Sequence, residues 1–391
     1  MKISTDPAKI EAVLTRGVER IFPNEDFLRS RLLSGERLTI YLGIDPTGPT
    51  LHMGHVIPLM KLAQLQELGH KIILLIGDFT ARIGDPDKKE ARKQLTKREV
   101  MNNARLYKKQ ASLFLNFKGS NKAELKYNGK WLDRMNFADV INLSSQVTVQ
   151  RMLDRDLFRR RLDAGIPIYI HEFMYPLMQG YDSVAMQVDG EVGGNDQTFN
   201  MLVGRDLLKN QDKPKEKFVI PMKLLVDSNG EKMGKTTGNM LSLLDTADEM
   251  FKKVMTWSDD VMMLGFELLT DLPLDQVETR IKAGENPRDI KFDLAHAIVT
   301  RVYGEKEAEA AHAAWINDVQ EDNQPSDIPT IELKADIVET LAAGTSDSKS
   351  QIRRSLSEGA VKVNGNKVDE QYALASGDTI QIGKKRWFQI K

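Results

Sequence analysis

The stretch of residues 41–55, YLGIDPTGPTLHMGH, constrains the fold of this chain more than any other. Its apolar lead-in predicts a short buried strand, and the glycines and prolines that follow predict a turn. From Val56 onward apolar residues recur at helical spacing, so the order is strand, turn and helix. That order brings His52, Gly54 and His55 to a helix N-terminus, where free N–H groups and the helix dipole favour an anion.

The two histidines are compatible with more than one kind of site. Three residues apart on the first helical turn, both can donate to phosphate oxygens, and Gly54 lets the backbone approach a bound group. They can equally cap the helix without any ligand, and imidazoles at this spacing also occur in zinc sites. These residues alone therefore leave a nucleotide site, a helix cap and a metal site open.

Length and composition limit the class of protein. A chain of 391 residues exceeds one ordinary core, so two or three domains are expected. A net charge of −1 gives no global attraction to nucleic acid or membranes, so RNA binding requires a local basic patch. The absence of cysteine excludes a disulfide framework and suits the cytoplasm. The longest clean apolar run, residues 72–76, is too short to span a bilayer, and residues 1–10 lack the apolar core of a signal peptide.

A second apolar strand is predicted over residues 71–76, KIILLI. Near-continuous apolar strands separated by helices indicate a parallel sheet covered on both faces, in which ligands sit at the carboxyl ends of the strands. Thr80 and Asp85 lie just past such an end. Lysines and arginines surround them over residues 82–93, where a phosphate-holding loop is possible and a solvated charged turn is the simpler interpretation.

The middle of the chain is predicted to be mostly helical. Thr96 to Glu99 is a capping-box sequence that opens a helix. Residues 115–135 are polar and predict a loop or short strands. Residues 139–163 predict an exposed helical insertion of mixed charge, whose apolar residues can pack on a partner subunit or within the chain.

Residues 169–186 hold an unusual polar set in apolar surroundings. Tyr175, Gln179 and Asp182 are spaced by four and three, so they share one face of a helix. Buried polar groups need partners, and a pocket for a polar small molecule would supply them. A polar surface stripe is the alternative, which the apolar neighbours disfavour.

The next segments add glycines, a carboxylate and cations. Gly193 and Gly194 predict a turn close to a ligand, and Asp196 in the helix start that follows can accept from a ribose hydroxyl. Residues 218–226 predict a pair of strands. Lys232 and Lys235 then stand among glycines, which predicts a mobile cationic loop able to reach over a polyphosphate.

The C-terminal third is predicted to contain a helical region and a separate small module. Helical spacing runs from Thr246 to about residue 320, and residues 321–330 form a polar, proline-containing linker. Residues 349–391 contain nine Lys and Arg against four Asp and Glu, a local excess of positive charge that fits a phosphate-facing patch. Its candidate RNA-binding residues are Lys349, Arg353 and Arg354; a solubilising tail is the alternative.

Two motifs together resemble a known family. HMGH at residues 52–55 and KMGKT at residues 232–236 resemble the paired nucleotide motifs, usually HIGH and KMSKS, of class I aminoacyl-tRNA synthetases. The pocket residues described above resemble those of the bacterial tyrosyl-tRNA synthetases, and the final module resembles the ribosomal-protein-type RNA-binding fold that many of them carry. The resemblance covers nearly the whole chain. Gly234 and Thr236 replace the usual serines, and Glu191 stands where many members have glutamine.

The resemblance implies an α/β architecture of three parts. A Rossmann-like parallel-sheet catalytic domain would occupy residues 1–230 and carry a dimerisation insertion at about 115–165. A signature loop and helical anticodon-binding domain would follow over residues 231–325. A small α+β RNA-binding module would occupy residues 331–391.

The resemblance also implies individual roles. Tyr41 and Asp182 would bind the phenol of L-tyrosine. Its ammonium group would be held by Asp85, Tyr175 and Gln179, and further pocket contacts would come from Thr80, Gln197 and Gly193. The ribose of ATP or the aminoacyl group would be contacted by Gly43, Asp45 and Asp196. The phosphates of ATP would be contacted by His52, Gly54, His55, Lys232, Lys235 and Thr236. Lys88 and Arg92 are further candidates for pyrophosphate, although the register of their loop is open.

The implied activity is formation of tyrosyl-adenylate from tyrosine and ATP with Mg²⁺, then transfer of the tyrosyl group to tRNA(Tyr), by a cytoplasmic homodimer. Rival interpretations are another nucleotidyl transferase, the tryptophanyl relative, or an inactive RNA-binding protein. The Tyr41 and Asp182 pair argues against the first two. The intact histidines and lysines argue against the third, because an inactive copy has no need to keep them.

Overall fold

The computed structural model describes residues 2–86, 94–228, 230, 232–233, 240–317, 328–345, 347–383 and 386–391. By its internal contacts the chain divides into two compact units, Met1–Ala308 and Glu309–Lys391.

Two short helices precede the sheet. They are α1 (Pro7–Thr15) and α2 (Glu25–Leu33). Each begins at a side chain that accepts from a free backbone N–H: Asp6 from Ala8 at 2.9 Å, and Asn24 from Phe27 at 2.8 Å.

The described part of the first unit contains one five-stranded parallel sheet. Its strands are β1 (Thr39–Ile44), β2 (Lys71–Ile76), β3 (Glu124–Tyr127), β4 (Gly190–Gly194) and β5 (Phe218–Met222). They lie in the order β3-β2-β1-β4-β5. The chain leaves β1 for β2 on one side and returns to β4 on the other, so the carboxyl ends of β1 and β4 flank a topological switch point. This arrangement confirms the predicted Rossmann-like fold.

Helices cover the sheet and fill its crossovers. Between β1 and β3 they are α3 (Met53–Glu67), α4 (Thr80–Ile83), α5 (Lys97–Ala104) and α6 (Tyr107–Ala111). The predicted capping box opens α5, where Thr96 Oγ1 accepts from Glu99 N at 3.3 Å.

Residues 115–165, predicted as a dimerisation insertion, begin with a strand of the main sheet. After β3 the chain forms α7 (Gly129–Leu132), α8 (Phe137–Ser144), α9 (Val149–Leu153) and α10 (Asp156–Asp163). Residues 139–163 are therefore helical, as predicted, and are divided among three short helices. One break occurs because Thr148 Oγ1 accepts from Arg151 N at 3.1 Å and so caps a new helix start.

Two predictions around β4 and β5 are wrong. A long helix, α11 (Ile170–Met186), leads into β4, and α12 (Thr198–Lys209) links β4 to β5. Gly193 and Gly194 end β4 instead of forming a turn, and a Cβ on Gly193 would stand 2.9 Å from Met201 Sδ, so close packing explains that glycine. Residues 218–226 form one strand and not two, because β5 ends at Met222, which pairs with the last residue of β4.

The region after residue 245 is helical, as predicted. It contains α13 (Ala247–Met255), α14 (Met262–Leu269), α15 (Leu274–Lys282), α16 (Pro287–Tyr303) and α17 (Glu305–Trp315). Short 3-10 helices at Asn195–Gln197 and Asp259–Val261 precede α12 and α14.

The C-terminal unit packs two helices on a mostly antiparallel sheet. Its elements are β6 (Thr330–Ile331), α18 (Ile337–Gly344), α19 (Lys349–Ser357), β7 (Val361–Val363), β8 (Asn366–Lys367), β9 (Thr379–Ile382) and β10 (Arg386–Ile390). The sheet order is β6-β10-β9-β7-β8. Asn364 and Gly365, both with positive φ, form the tight turn between β7 and β8. These elements confirm the expected small α+β module.

Candidate functional site

A cleft of about 650 Å³ opens at the carboxyl ends of β1 and β4. Its volume suits a small-molecule site. All the described residues that the sequence assigned to tyrosine or ATP line it: Tyr41, Gly43, Asp45, His52, Gly54, His55, Thr80, Asp85, Tyr175, Gln179, Asp182, Gly193, Asp196, Gln197 and Lys232. Lys88, Arg92, Lys235 and Thr236 lie outside the described residues.

The histidine pair caps α3 and also faces the cleft. His52 Nδ1 accepts from Gly54 N at 3.1 Å, and His55 Nδ1 accepts from His52 N at 3.2 Å. An imidazole that accepts at Nδ1 carries its proton at Nε2 when neutral, so the cap selects the tautomer with a donor at Nε2. The two histidines can therefore cap the helix through Nδ1 and donate to an anion through Nε2 at the same time, so these two interpretations do not exclude each other.

Asp45, at the end of β1, is held by two side chains from other elements. Thr80 Oγ1 donates to its Oδ1 at 2.7 Å, and the Tyr175 hydroxyl donates to its Oδ2 at 2.9 Å. Burial raises the pKa of Tyr175 well above its ordinary value, and the Asp45 carboxylate raises it further, so this hydroxyl stays protonated. It is therefore a permanent donor to the carboxylate.

Asp182 forms the deep end of the cleft. The Trp131 indole nitrogen donates to its Oδ1 at 2.8 Å, and Asn128 Nδ2 donates to its Oδ2 at 3.2 Å. Burial raises the pKa of Asp182 well above its ordinary value, and these two donors oppose the shift. Tyr41 lies beside it, fully buried, with its hydroxyl 3.0 Å from Ser183 Oγ.

Sequence reasoning missed Asn128 and Trp131. Both follow β3, within a polar stretch predicted only as loop or short strands. No local spacing connects them to Asp182, because the contact depends on β3 pairing in parallel with β2. A tryptophan and an asparagine directly after a strand of the sheet were the available signal.

Asp85 also accepts from two protein donors. Arg155 of the insertion donates to its Oδ1 at 2.7 Å, and Gln197 Nε2 donates to its Oδ2 at 2.9 Å. The side chains of Arg155 and Asp85 are 8% and 10% exposed, so this ion pair is largely removed from water. Arg155 was predicted only as part of an exposed helical insertion of mixed charge, and its burial corrects that prediction.

Gln179 connects to a second buried ion pair. Its Nε2 donates to Glu191 Oε1 at 3.1 Å, and its Oε1 accepts from Asn200 Nδ2 at 3.0 Å. The other oxygen of Glu191 pairs with Lys217, which directly precedes β5. The sequence offers no reason to place Lys217 near the cleft, because it is one of several charged residues that precede an apolar strand.

The mouth of the cleft carries a more exposed pair. Lys232 Nζ lies 2.7 Å from Asp196 Oδ2, with the two side chains 47% and 29% exposed. A pair this exposed contributes little stability, so either member can exchange its partner for a ligand. Lys232, the first lysine of KMGKT, thus contacts Asp196, the candidate acceptor for a ribose hydroxyl.

The candidate RNA-binding cations lie on α19, as predicted, but each has an acidic partner. The pairs are Lys349 with Glu339 at 2.7 Å, Arg353 with Glu370 at 3.5 Å, and Arg354 with Glu358 at 2.8 Å. All of these side chains are exposed. A phosphate would have to replace these carboxylates, which surface pairs permit.

Neither a metal cluster nor a membrane span occurs in the described ranges. Among the described residues, no cluster of three or more His, Asp or Glu side chains could hold a metal ion. The zinc site that the sequence left open for His52 and His55 therefore lacks a third ligand among those residues. Within the part of the chain that the structure describes, no helix is long and apolar enough to cross a membrane.

Family models match both units. The model described as tRNA synthetases class I (W and Y) matches residues 33–320. The model described as S4 domain matches residues 337–380.

Curated relatives and solved structures agree with these matches. The chain is 43% identical over 394 residues to the Tyrosine--tRNA ligase of Haemophilus ducreyi, covering 97% of this chain and 98% of that protein. It is 40% identical over 396 residues to the Tyrosine--tRNA ligase of Thermotoga maritima, covering 98% of each. A C-terminally truncated mitochondrial tyrosyl-tRNA synthetase of Coccidioides posadasii is similar with a TM-score of 0.64 and 26% identity, over 78% of this chain and 91% of that one.

Proposed function

Because this chain belongs to the class I tRNA synthetases of the W and Y family, we propose that it is an ATP-dependent tyrosine–tRNA ligase. It activates L-tyrosine to tyrosyl-adenylate and transfers the tyrosyl group to the 3′ end of tRNA(Tyr). The observation that carries this proposal is the deep end of the cleft, where Tyr41 and the carboxylate of Asp182 lie together among buried groups. A hydroxyl beside a carboxylate is a matched site for a phenol, which both donates and accepts.

At the amino-acid end, we assign the phenol to Tyr41 and Asp182 and the ammonium group to Asp85, Tyr175 and Gln179. The carboxylate of Asp85 supplies the negative charge that an ammonium group requires, and Gln197 holds that carboxylate in place. Thr80 holds the carboxylate of Asp45 in the same way. Each acceptor is fixed by protein donors before the substrate arrives, so little ordering remains to be done on binding.

At the nucleotide end, we assign the phosphates to His52, His55 and Lys232, together with Lys235 and Thr236 of the same motif. Gly43, Gly54 and Gly193 give ATP access to the backbone, while Asp45 and Asp196 face its ribose or the aminoacyl group. Binding of ATP would separate Lys232 from Asp196, freeing the cation for a phosphate and the carboxylate for a ribose hydroxyl. The exposed geometry of that pair supports such an exchange.

The reaction needs positioning and charge stabilisation more than proton transfer. The tyrosine carboxylate is already an anion, so it attacks the α-phosphorus of ATP without a general base, forming the acyl–phosphate bond as pyrophosphate leaves. The Nε2 donors of the histidines and the lysine ammonium groups stabilise the charge that develops on the phosphates. Mg²⁺ would enter with ATP and be held mainly by its phosphates, as is usual for this ion.

We propose that two copies of the chain pair through the predicted insertion. Large apolar side chains are exposed on and around α8 to α11, among them Phe137 at 80%, Ile170 at 79% and Val149 at 61%. An apolar surface of this kind marks a contact site in a soluble protein. Light scattering on the native chain should give the mass of a dimer, and Phe137→Glu should shift it toward the monomer.

We propose that the C-terminal unit binds tRNA through Lys349, Arg353 and Arg354. The match to an S4 domain supports this role, and the exposed position of the three cations permits it. A cytoplasmic location stays a prediction.

Amino-acid-dependent exchange of pyrophosphate into ATP tests the proposed activity. Each of the standard amino acids is offered separately to the purified chain with ATP and Mg²⁺. Exchange is expected with tyrosine, far more weakly with phenylalanine, and not with tryptophan. Exchange that depends on tryptophan would favour the other branch of the family, and exchange with no amino acid would refute the activation step.

A further inference from the structure

A buried lysine lies directly beneath the cleft and has no role in the activity described above. Lys217 is fully buried, and Glu191, which faces it from β4, is 2% exposed. The ammonium group donates to Glu191 Oε2, to Ser183 Oγ at 2.8 Å and to the backbone oxygen of Met201 at 3.0 Å. These partners match the three donors of a charged lysine.

Stability does not explain such a pair. Burying an ion pair removes both charges from water, and replacing it by apolar side chains is often neutral or stabilising. Burial lowers the pKa of Lys217, although the Glu191 carboxylate opposes that shift. A buried charge that is costly to maintain and adjoins a ligand site calls for a functional explanation.

The consequence for the cleft passes through Gln179. An ionised Glu191 has no donor, so Gln179 must turn its NH₂ group toward Glu191 Oε1, which it does at 3.1 Å. Its carbonyl oxygen therefore points the other way, accepting from Asn200 at 3.0 Å with a second lone pair still available. The charge on Glu191 thus decides which end of the Gln179 amide a ligand meets.

The same lysine also reaches the phenol end. Ser183 Oγ, which accepts from Lys217, lies 3.0 Å from the Tyr41 hydroxyl. Lys217 Nζ stands 5.6 Å from the centre of the Tyr41 ring, close enough for a cation–π contact. One cation therefore adjoins both sets of groups that we assign to tyrosine.

We propose that Lys217 and Glu191 form a positioning pair, which holds the Gln179 carbonyl toward the ammonium group of the amino-acid substrate. This inference rests on the proposed function, because it assumes that an amino acid binds at Gln179. Lys217 supplies the positive charge that balances the carboxylate of Glu191. Glu191 in turn presents that acceptor to Gln179.

An isosteric change separates this role from packing. In Glu191→Gln the new amide must offer its oxygen to the Lys217 ammonium, so its NH₂ group faces Gln179. Gln179 then turns over and places its own NH₂ group toward the substrate's ammonium, where a donor meets a donor. Side-chain volume is nearly unchanged, so a loss of tyrosine binding would reflect polarity.

The experiment measures the KM for tyrosine and for ATP by pyrophosphate exchange in wild type, Glu191→Gln, Lys217→Met and the double variant. Loss of a hydrogen bond to a charged group predicts a tyrosine KM at least about tenfold higher in Glu191→Gln, with the ATP KM within about twofold. In the double variant no cation remains, so the amide introduced at position 191 can turn its oxygen to Gln179. Its tyrosine KM should return to within about threefold of wild type.

Glu172→Gln is the matched control. Glu172 pairs with Arg161 at 2.8 Å, both side chains are 7–8% exposed, and neither lines the cleft. This variant should lower the melting temperature without changing the ratio of the two KM values. If Lys217→Met does not fold, the comparison of Glu191→Gln with the double variant still decides the outcome.

Two tyrosine analogues locate the effect. Tyrosinol keeps the ammonium group, whereas 3-(4-hydroxyphenyl)propionate lacks it, and both keep the phenol. In Glu191→Gln the inhibition constant of tyrosinol should rise about tenfold, while that of the propionate stays within about twofold. Equal losses for both analogues, or a double variant whose tyrosine KM is as high as that of Glu191→Gln, would overturn the positioning role. A wild-type chain without tyrosine-dependent exchange would instead overturn the proposed function.

Discussion

The substitution Asp182→Asn tests the deep end of the cleft most sharply. It keeps the shape of the side chain but removes its charge and replaces one acceptor oxygen by an NH₂ group. Trp131 and Asn128 are both donors and each faces one of the two oxygens, at 2.8 Å and 3.2 Å. The new amide can therefore accept from only one of them, and its nitrogen stands opposite the other.

The size of the effect follows from these contacts. The phenol of tyrosine would lose a hydrogen bond to a charged acceptor, which is worth about 1.5–3 kcal/mol, or about 10- to 150-fold in kcat/KM. The donor left unpaired is present with and without substrate, so it lowers stability by about 1–3 kcal/mol without affecting the tyrosine KM. Asp182→Asn should thus reduce kcat/KM for tyrosine about 100-fold and leave the ATP KM unchanged.

The assay is pyrophosphate exchange with tyrosine and with phenylalanine on the same preparations. Phenylalanine has no hydroxyl, so its weak activity should change little and the preference for tyrosine should narrow. Trp131→Phe is the control: it removes a donor, keeps the carboxylate and should change kcat/KM for tyrosine only a few-fold, about 1 kcal/mol. Unchanged tyrosine activity in Asp182→Asn would refute the assignment of the phenol to this residue.

The pH profile gives the same assignment a second test. Burial raises the pKa of Asp182 above its ordinary value of 3.8, and the ionised carboxylate accepts from the phenol more strongly than the protonated acid does. Activity on tyrosine should therefore fall, as the pH is lowered, at a higher pH than an ordinary aspartate would cause. Asp182→Asn should lack this acid limb.

Three further predictions concern stability, the phosphates and tRNA. Lys61 is buried on α3, where it donates to Ala12 O at 3.1 Å and Val13 O at 2.8 Å, and burial lowers its pKa to about 7. Between about pH 7 and 10 the unfolded chain therefore binds more protons than the folded chain, so the free energy of unfolding should rise by about 1 kcal/mol per pH unit. Urea titrations of Lys61→Met at several pH values should lack that rise. Lys232→Ala should slow adenylate formation in stopped-flow by about 100-fold with little change in the tyrosine KM, and a normal rate would remove this lysine from catalysis. Replacing Arg353 and Arg354 with Ala should lower the salt slope of tRNA binding by about one per lost phosphate contact, with normal adenylate formation; an unchanged slope would exclude them from the RNA interface.

Short-range patterns predicted the parts of the site that lie on single elements. The strand, turn and helix around His52 and His55 followed from the alternation of apolar runs and turn residues. Tyr175, Gln179 and Asp182 followed from their spacing, because a helix of this length brings residues four and three apart onto one face. In both cases the sequence distance is one or two helical turns.

Contacts between distant elements were not predictable in this way. Arg155 meets Asp85 across 70 residues and Trp131 meets Asp182 across 51, and nothing in the local spacing indicates either contact. Gly193 and Gly194 were misread for a related reason. A glycine in a sequence can indicate a turn, or it can indicate that a neighbouring side chain leaves no room for a Cβ. Only the structure shows that Met201 leaves no room at Gly193.

Direct observation of the intermediate tests the central claim most simply. The purified chain is mixed with tyrosine, Mg²⁺ and ATP labelled at the α-phosphate, first without RNA and then with tRNA(Tyr). Tyrosyl-adenylate should accumulate on the protein in the first step and disappear in the second as AMP is released and tyrosine becomes attached to the tRNA. Failure to form the adenylate, or an adenylate whose tyrosyl group is never transferred to tRNA, would contradict the account.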